Sequence, residues 1–409
     1  MKKFSFLQKA TVVAAMVFTV FACKKQEEQV PQASPDKVSL KEMMSENGAN
    51  PDDLPLKTEM EKVTAERAQK SKSGHYLYTE TNALARNEII VYEVNTNGEL
   101  SLMETVPSGG TGTGTGLGSQ GAVVLDEAHE MLYAVNAGDH SISSFKVKNN
   151  GGLKLTHTTP SMGKTPVSLA VHDNLLYVLN RGSDAIQGFK IGGNGKLTDI
   201  VQSNRPLSGM KVDAPQISFT PNGFFVVVTE KATNIVGTFK VNNNGSIMSG
   251  KFTKSDGKTP FGFEWSRHKF MIVSNAAGGA AAAGSSTAYT INANGIPKTT
   301  NGAIANYQAA PCWVAITKNG RFAYVTNTAS NNVSSYYIAG DGGLYLAKGV
   351  AATSGMGPLD VVVSNNIYVF VLTSRSHSID EYYRKPFGEL GAIGHVSGVP
   401  ASATGLASF

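Results

Sequence analysis

One aromatic position recurs seven times along this chain, and it fixes what the chain can fold into. The residues are Tyr92, Phe145, Phe189, Phe239, Tyr289, Tyr336 and Tyr382. Six residues beyond each comes a glycine: Gly98, Gly151, Gly195, Gly245, Gly295, Gly342 and Gly388. Three residues before most of them sits a β-branched residue, with Ser286 the exception. The spacing runs from 44 to 53 residues. The stretch from Arg321 to Leu344 shows one unit: an alternating strand to Asn327, a polar turn, a second alternating strand, and a glycine turn at Gly342-Gly343. A unit of one small sheet cannot bury both faces by itself. Units of roughly 40–50 residues that stack face to face are propeller blades. The expected fold is therefore all-β, a seven-bladed β-propeller. A solenoid is the weaker alternative, because no repeat looks like an atypical cap.

A second landmark precedes the later units, a proline leading into a short apolar strand. It occurs at Pro166, Pro215, Pro260, Pro311 and Pro358, with Gly121 in its place in the second unit. Proline suits the first residue of a strand, where no ladder bond is lost, so these are expected to be the innermost strands. The last landmark, Pro400 before ASATGLASF, has no blade of its own. The first blade lacks an inner strand, so the C-terminal segment is expected to supply it, closing the ring and covering both free sheet edges. The glycine-rich run Ser108–Leu125 has no Gly-Lys-Ser/Thr and leads into a strand, so it is no phosphate loop. It reads as a loop near the central opening.

Residues 1–22 have the form of a secretion signal, with Lys2 and Lys3 before an apolar core too short for a permanent span. Val20-Phe21-Ala22-Cys23 resembles the bacterial lipoprotein box, which makes Cys23 the expected lipidation site. Lys24 follows, not the aspartate associated with inner-membrane retention, so the expected location is the cell envelope, lipid-anchored at the outer membrane. Residues 23–73 are polar and Pro-containing and read as a tether. The propeller is assigned to 74–409. Cleavage removes Lys2, Lys3 and Lys9 from a chain of formal charge +5 and leaves +2. No basic run interleaved with aromatics occurs outside the signal, so nucleic acid is not an expected partner. With two cysteines, one of them Cys23, no intrachain disulfide framework is expected. Neither a metal nor a cofactor is expected, and the expected state is a monomer.

The segments SQGAVVL, YAVNAGDHSISSF, YVLNRG, APQISFTPNGFFVVVTEKATN, TPFGFEW and PCWVAITKNGRFAYVTN resemble the lactonase-like seven-bladed propeller family. That family is similar to 6-phosphogluconolactonase and carboxymuconate-cyclase propellers, and related YVTN repeats occur in surface-layer proteins. The resemblance implies a lactone hydrolase or muconate-type cycloisomerase with histidine and arginine around the axial pocket, often as a Pro-His pair entering an inner strand. Here those positions read Pro215-Gln216 and Pro311-Cys312. Glutamine does not titrate near neutral pH and is no general base.

Propeller geometry puts the loops entering the inner strands on one face. Asn136, His140, Asn180, Arg181, Gln216, Glu230, Lys231, Asn275, Trp313, Asn327, Arg375 and His377 are expected there. Glu230 and Lys231 are the candidate catalytic pair, with the carboxylate taking a proton from water and the lysine neutralising a substrate carboxylate. Gln216, Arg181, Asn180, Asn136, Trp313 and Arg375 are candidate ligand-binding residues. The asparagines recur at equivalent blade positions and equally suit turns, and Phe261 and Trp313 equally suit a core plug. Cys312 has no partner histidine signature and reads as a small buried residue. Three functions stay open: a divergent lactonase or cycloisomerase acting on a small acidic compound; a non-catalytic module binding a sugar acid, glycan or protein; and a structural surface protein. The lipid anchor is tested directly. Cys23→Ser should abolish acylation and move the protein from the membrane to the soluble fraction; unchanged mass and fractionation would refute it.

Overall fold

Seven antiparallel sheets form, one for each aromatic repeat. The computed structural model describes residues 74–408 except 127, 129 and 268; the expected signal, Cys23 and the tether lie outside the described residues. Blade 4 is typical, with strands Gln216–Phe219, Phe225–Glu230, Ile235–Lys240 and Lys251–Lys254 running from the axis outward. Blade 3 departs from it. Its outer edge is split into Leu197–Asp199 and Arg205–Pro206, both paired to the third strand Ala185–Ile191.

The recurring aromatics all lie on third strands, and none is more than 3% exposed. The seven glycines all have positive φ, from +73° to +89°. Each also lies against the residue that opens the second strand of the preceding blade or its neighbour. Gly98 faces Tyr368, Gly151 faces Tyr76, Gly295 faces Phe225 and Gly342 faces Phe270, all too closely for a side chain. Conformation and close approach thus both demand glycine, so the repeat is the imprint of blade-on-blade packing.

The inner strands contact one another in a closed cycle. Thr404–Ser408 touches Val123–Asp126, and contacts pass through Pro166–His172, Gln216–Phe219, Pro260–Trp265 and Pro311–Ile316 to Pro358–Ser364, which returns to Thr404–Ser408. The C-terminal strand pairs antiparallel with His75–Glu80, pairing Leu77 with Ser408 and Tyr78 with Ala407. The first blade therefore takes its inner strand from the end of the chain, as the unpaired Pro400 landmark predicts. Val399, Ala403 and Ala407 are buried in this seam.

Deleting residues 400–409 should leave His75–Glu80 with an exposed edge and uncover the apolar faces of blades 7 and 2. A large drop in melting temperature together with aggregation is expected; an undiminished melting temperature would show that the ring does not depend on this strand.

Candidate functional site

The candidate residues fall into three groups once folded. The first comprises the last residue of each second strand: Glu80, Asn136, Asn180, Glu230, Asn275, Asn327 and Thr373. All seven are fully buried. Asn136 Nδ2 donates to Ser141 Oγ (2.9 Å) and Ser143 Oγ (2.8 Å), and its Oδ1 accepts from Ser108 Oγ at 2.6 Å. Asn180 Nδ2 donates to the Ser161 carbonyl at 2.9 Å, and Asn327 Nδ2 to Ser334 Oγ at 2.8 Å. Glu230 stands where four of the other blades carry an asparagine amide, and it serves the same purpose. It accepts from Ser208 N at 3.0 Å, from Ser208 Oγ, and from Thr233 Oγ1 at 2.5 Å. Both of its oxygens hold the loops on either side of the strand, so this carboxylate is engaged before any ligand arrives.

The second group meets at the mouth where the inner strands begin, and that mouth is filled. The glycine-rich loop folds into it. Arg181 Nη1 donates to the Leu117 carbonyl at 2.6 Å, Trp313 Nε1 to the Ser119 carbonyl at 2.8 Å, and Leu117 is buried. Gln120 reaches across the axis: its Nε2 donates to the Val314 carbonyl at 2.7 Å and its Oε1 accepts from Val314 N at 3.1 Å. Lys231 Nζ pairs with Asp213 Oδ2 at 3.0 Å and lies 4.6 Å from the Phe261 ring centroid. Phe261 and Trp313 pack at 5.0 Å. The concave opening expected on this face is thus a plug of backbone, aromatic rings and a Lys231–Asp213 ion pair. Burial lowers the Arg181 pKa from its ordinary value, with Asp213 opposing. Burial pushes the Cys312 thiol up to about 11, so it is no thiolate near neutral pH. Arg375 lies apart on the surface, donating from Nη2 to the Thr328 carbonyl at 3.2 Å. Of the two loop histidines, His140 accepts from Thr165 N through Nδ1 at 3.1 Å, while His377 is an exposed turn residue at φ +55°.

The third group lines the remaining space, an axial cavity of about 570 Å³. Its deep end holds Gln120, Gln216 and Asp360; its other end holds Arg267 and Lys318, both exposed, from turns that follow the inner strands. Gln216 is the one candidate ligand residue that lines it, and its amide is committed. Nε2 donates to the Phe263 carbonyl at 2.8 Å and Oε1 accepts from Phe263 N at 2.6 Å. Asp360 accepts from Gly405 N at 3.0 Å, and burial raises its pKa to about 7.

Glu264, like Asp360, is not among the candidate residues that stand out in the sequence. It lies near the end of the blade 5 inner strand, partly buried on the cavity wall, with Oε1 accepting from Trp265 N at 2.7 Å. Burial raises it to about 7, the Trp265 N–H opposing. The signal was present in the strand itself: in register, Ser218, Ala315 and Val362 hold this place in blades 4, 6 and 7. Among the described residues no group of three His, Cys, Asp or Glu could hold a metal ion.

This fold defines the class, a seven-bladed β-propeller. Residues 67–213 match the family model described as "Lactonase, 7-bladed beta-propeller". A putative 6-phosphogluconolactonase from Bacteroides fragilis is similar at 19% identity and TM-score 0.65, over 83% of this chain and 99% of that one. The Pseudomonas aeruginosa periplasmic gluconolactonase is similar at 16% identity and TM-score 0.66, over 82% and 99%. A Lactobacillus plantarum protein gives 17% identity and TM-score 0.67, over 82% and 99%. At such identities the likeness establishes the fold. No curated protein matches the sequence.

Glu230→Gln tests the first group. The amide would turn a donor toward groups that are themselves donors, so stability should fall by about 1–3 kcal/mol with ligand response unchanged. Weakened ligand binding at unchanged melting temperature would restore Glu230 to the functional site.

Proposed function

We propose that this protein is a lipid-anchored lactone hydrolase of the bacterial envelope, acting on a small acidic lactone in the axial cavity. The observation that carries the reading is Glu264: a carboxylate on the wall of an otherwise mostly committed cavity, raised to about 7, in a cavity whose mouth carries Arg267 and Lys318. A base poised near ambient pH takes a proton from water most effectively. Arg267 and Lys318 supply positive charge for a carboxylate or phosphate on the substrate. Neither side-chain cation has a hydrogen-bond or ion-pair partner among the described residues. The relatives' names, gluconolactonase and 6-phosphogluconolactonase, supply the substrate class.

In this reading water, deprotonated by Glu264, adds to the lactone carbonyl. The ring C–O bond then breaks, and the departing oxygen takes the proton back from Glu264 to give the open hydroxy acid. Anchoring through Cys23 would place this chemistry outside the inner membrane. A second reading, a non-catalytic propeller that binds a sugar acid, is favoured by one observation. The deep polar groups Gln120, Gln216 and Asp360 are all spent on backbone partners.

The test is hydrolysis of glucono-1,5-lactone and its 6-phosphate above the spontaneous rate. Because the base must be deprotonated, kcat/KM should rise with pH through about 7 and level off above. Glu264→Gln should remove that dependence and cost about 100-fold or more, with the fold intact. Binding of the hydroxy acid without turnover would establish the second reading.

A further inference from the structure

The structure assigns a second binding site to this propeller, a groove between blades 4 and 5 that takes an acidic oligosaccharide. The groove encloses about 740 Å³ and is lined by Phe224, Trp265, Lys240, Lys269, Asn243 and Asn292 among others. That volume is within the range of small-ligand sites, about 300–1,000 Å³. It lies on the same side of the ring as the cavity mouth, because Phe224 and Lys269 sit in the turns that follow the inner strands.

Phe224 is the first argument. It is 64% exposed. Its place in the turn before the second strand is held by Glu130, Asn174, Lys269 and Arg321 in blades 2, 3, 5 and 6, and by Ile367, buried in the core, in blade 7. Four of these are polar, and the one apolar equivalent is packed away, whereas the Phe224 ring is left in solvent. It offers a flat apolar face with negative quadrupole charge, which matches the C–H face of a pyranose ring. Trp265 forms the inner wall. Its indole N–H is shielded from solvent and donates to nothing among the described residues.

Charge is the second argument. Lys240 and Lys269 are both exposed, and no carboxylate lines the groove. Neither ammonium group has a hydrogen-bond or ion-pair partner among the described residues. Two unpaired ammonium groups beside an aromatic platform favour an anionic saccharide over a neutral one. The Asn243 amide supplies a donor and an acceptor for ring hydroxyls, and Asn292, whose oxygen is held by Asn294 N and Ile296 N, supplies a donor. This site shares only the Trp265 wall with the axial cavity and does not depend on lactone chemistry there.

The experiment is calorimetric titration of the full-length protein, using tetragalacturonate as the acidic probe and maltotetraose as the neutral one. Tetragalacturonate should bind, with affinity falling as salt is raised, and maltotetraose should bind at least tenfold more weakly. Phe224→Ala and the double change Lys240→Gln with Lys269→Gln should each weaken the acidic probe at least tenfold. Melting temperatures should be unchanged, since all three side chains are exposed. Binding should survive Glu264→Gln, which separates this site from the hydrolytic one. Equal binding of both probes, unchanged affinity in the Phe224 variant, or no heat with tetragalacturonate at millimolar concentration would each overturn the assignment.

Discussion

An inner strand of a propeller is the edge of its sheet, and its outward N–H and C=O groups face the axis with no further strand to pair them. Left without partners in a narrow channel, each such group would cost about 1–3 kcal/mol. Here side chains of adjacent blades take the place of the missing strand. Gln216 of blade 4 pairs with both backbone groups of Phe263 in blade 5, as a strand residue would. Ser168 of blade 3 accepts from Ile217 N of blade 4 at 3.1 Å, and Asp360 of blade 7 accepts from Gly405 N of blade 1. From the second strands, Thr229 donates to the Phe261 carbonyl at 2.6 Å, Ser274 to Cys312 at 2.5 Å and Thr326 to Leu359 at 2.8 Å. Gln120 makes the same double contact with Val314, but across the axis instead of around it.

That difference decides which way the channel opens. A clip between neighbours leaves the axis free, whereas one from blade 2 to blade 6 closes it. Gln120 brings its loop with it, and Arg181 and Trp313 hold the loop through the Leu117 and Ser119 carbonyls. The chain can settle so deeply only because small residues line its path. A side chain at Gly262 would collide with the Gln120 amide, and one at Gly112 with Asn82. Gly112 of this loop thus serves close approach of backbone to backbone, and Gly110 close approach to the Asn136 side chain.

Features that repeat were legible in the sequence, because each is imposed again by every blade. The aromatic and glycine positions, the proline entries and the unpaired C-terminal strand all follow from packing that recurs at a fixed period. The site was not legible, because it is made of exceptions. The partner of Gln120 lies 194 residues away, and nothing local to either segment predicts their contact. Glu230 looked chemical because it is a lone carboxylate beside a lysine. Its burial and its three donors follow only from its place in the register, where Asn136, Asn180, Asn275 and Asn327 do the same task.

The same register explains why chemistry would sit where it does. Gln216 occupies the place at which the family resemblance leads one to expect an imidazole, and its amide is held at both ends by Phe263. A histidine there could satisfy one backbone group and titrate, but it could not pair with both. Glutamine trades that chemistry for a continuous seam between blades 4 and 5. The free acid then lies one residue beyond the clipped one, at Glu264, whose side chain reaches the cavity while Phe263 is held in the seam. Its backbone neighbour Trp265 fixes one oxygen by a single N–H. One hydrogen bond offsets part of the desolvation and not all of it, which is the balance that brings a carboxylate to about 7 instead of its ordinary range.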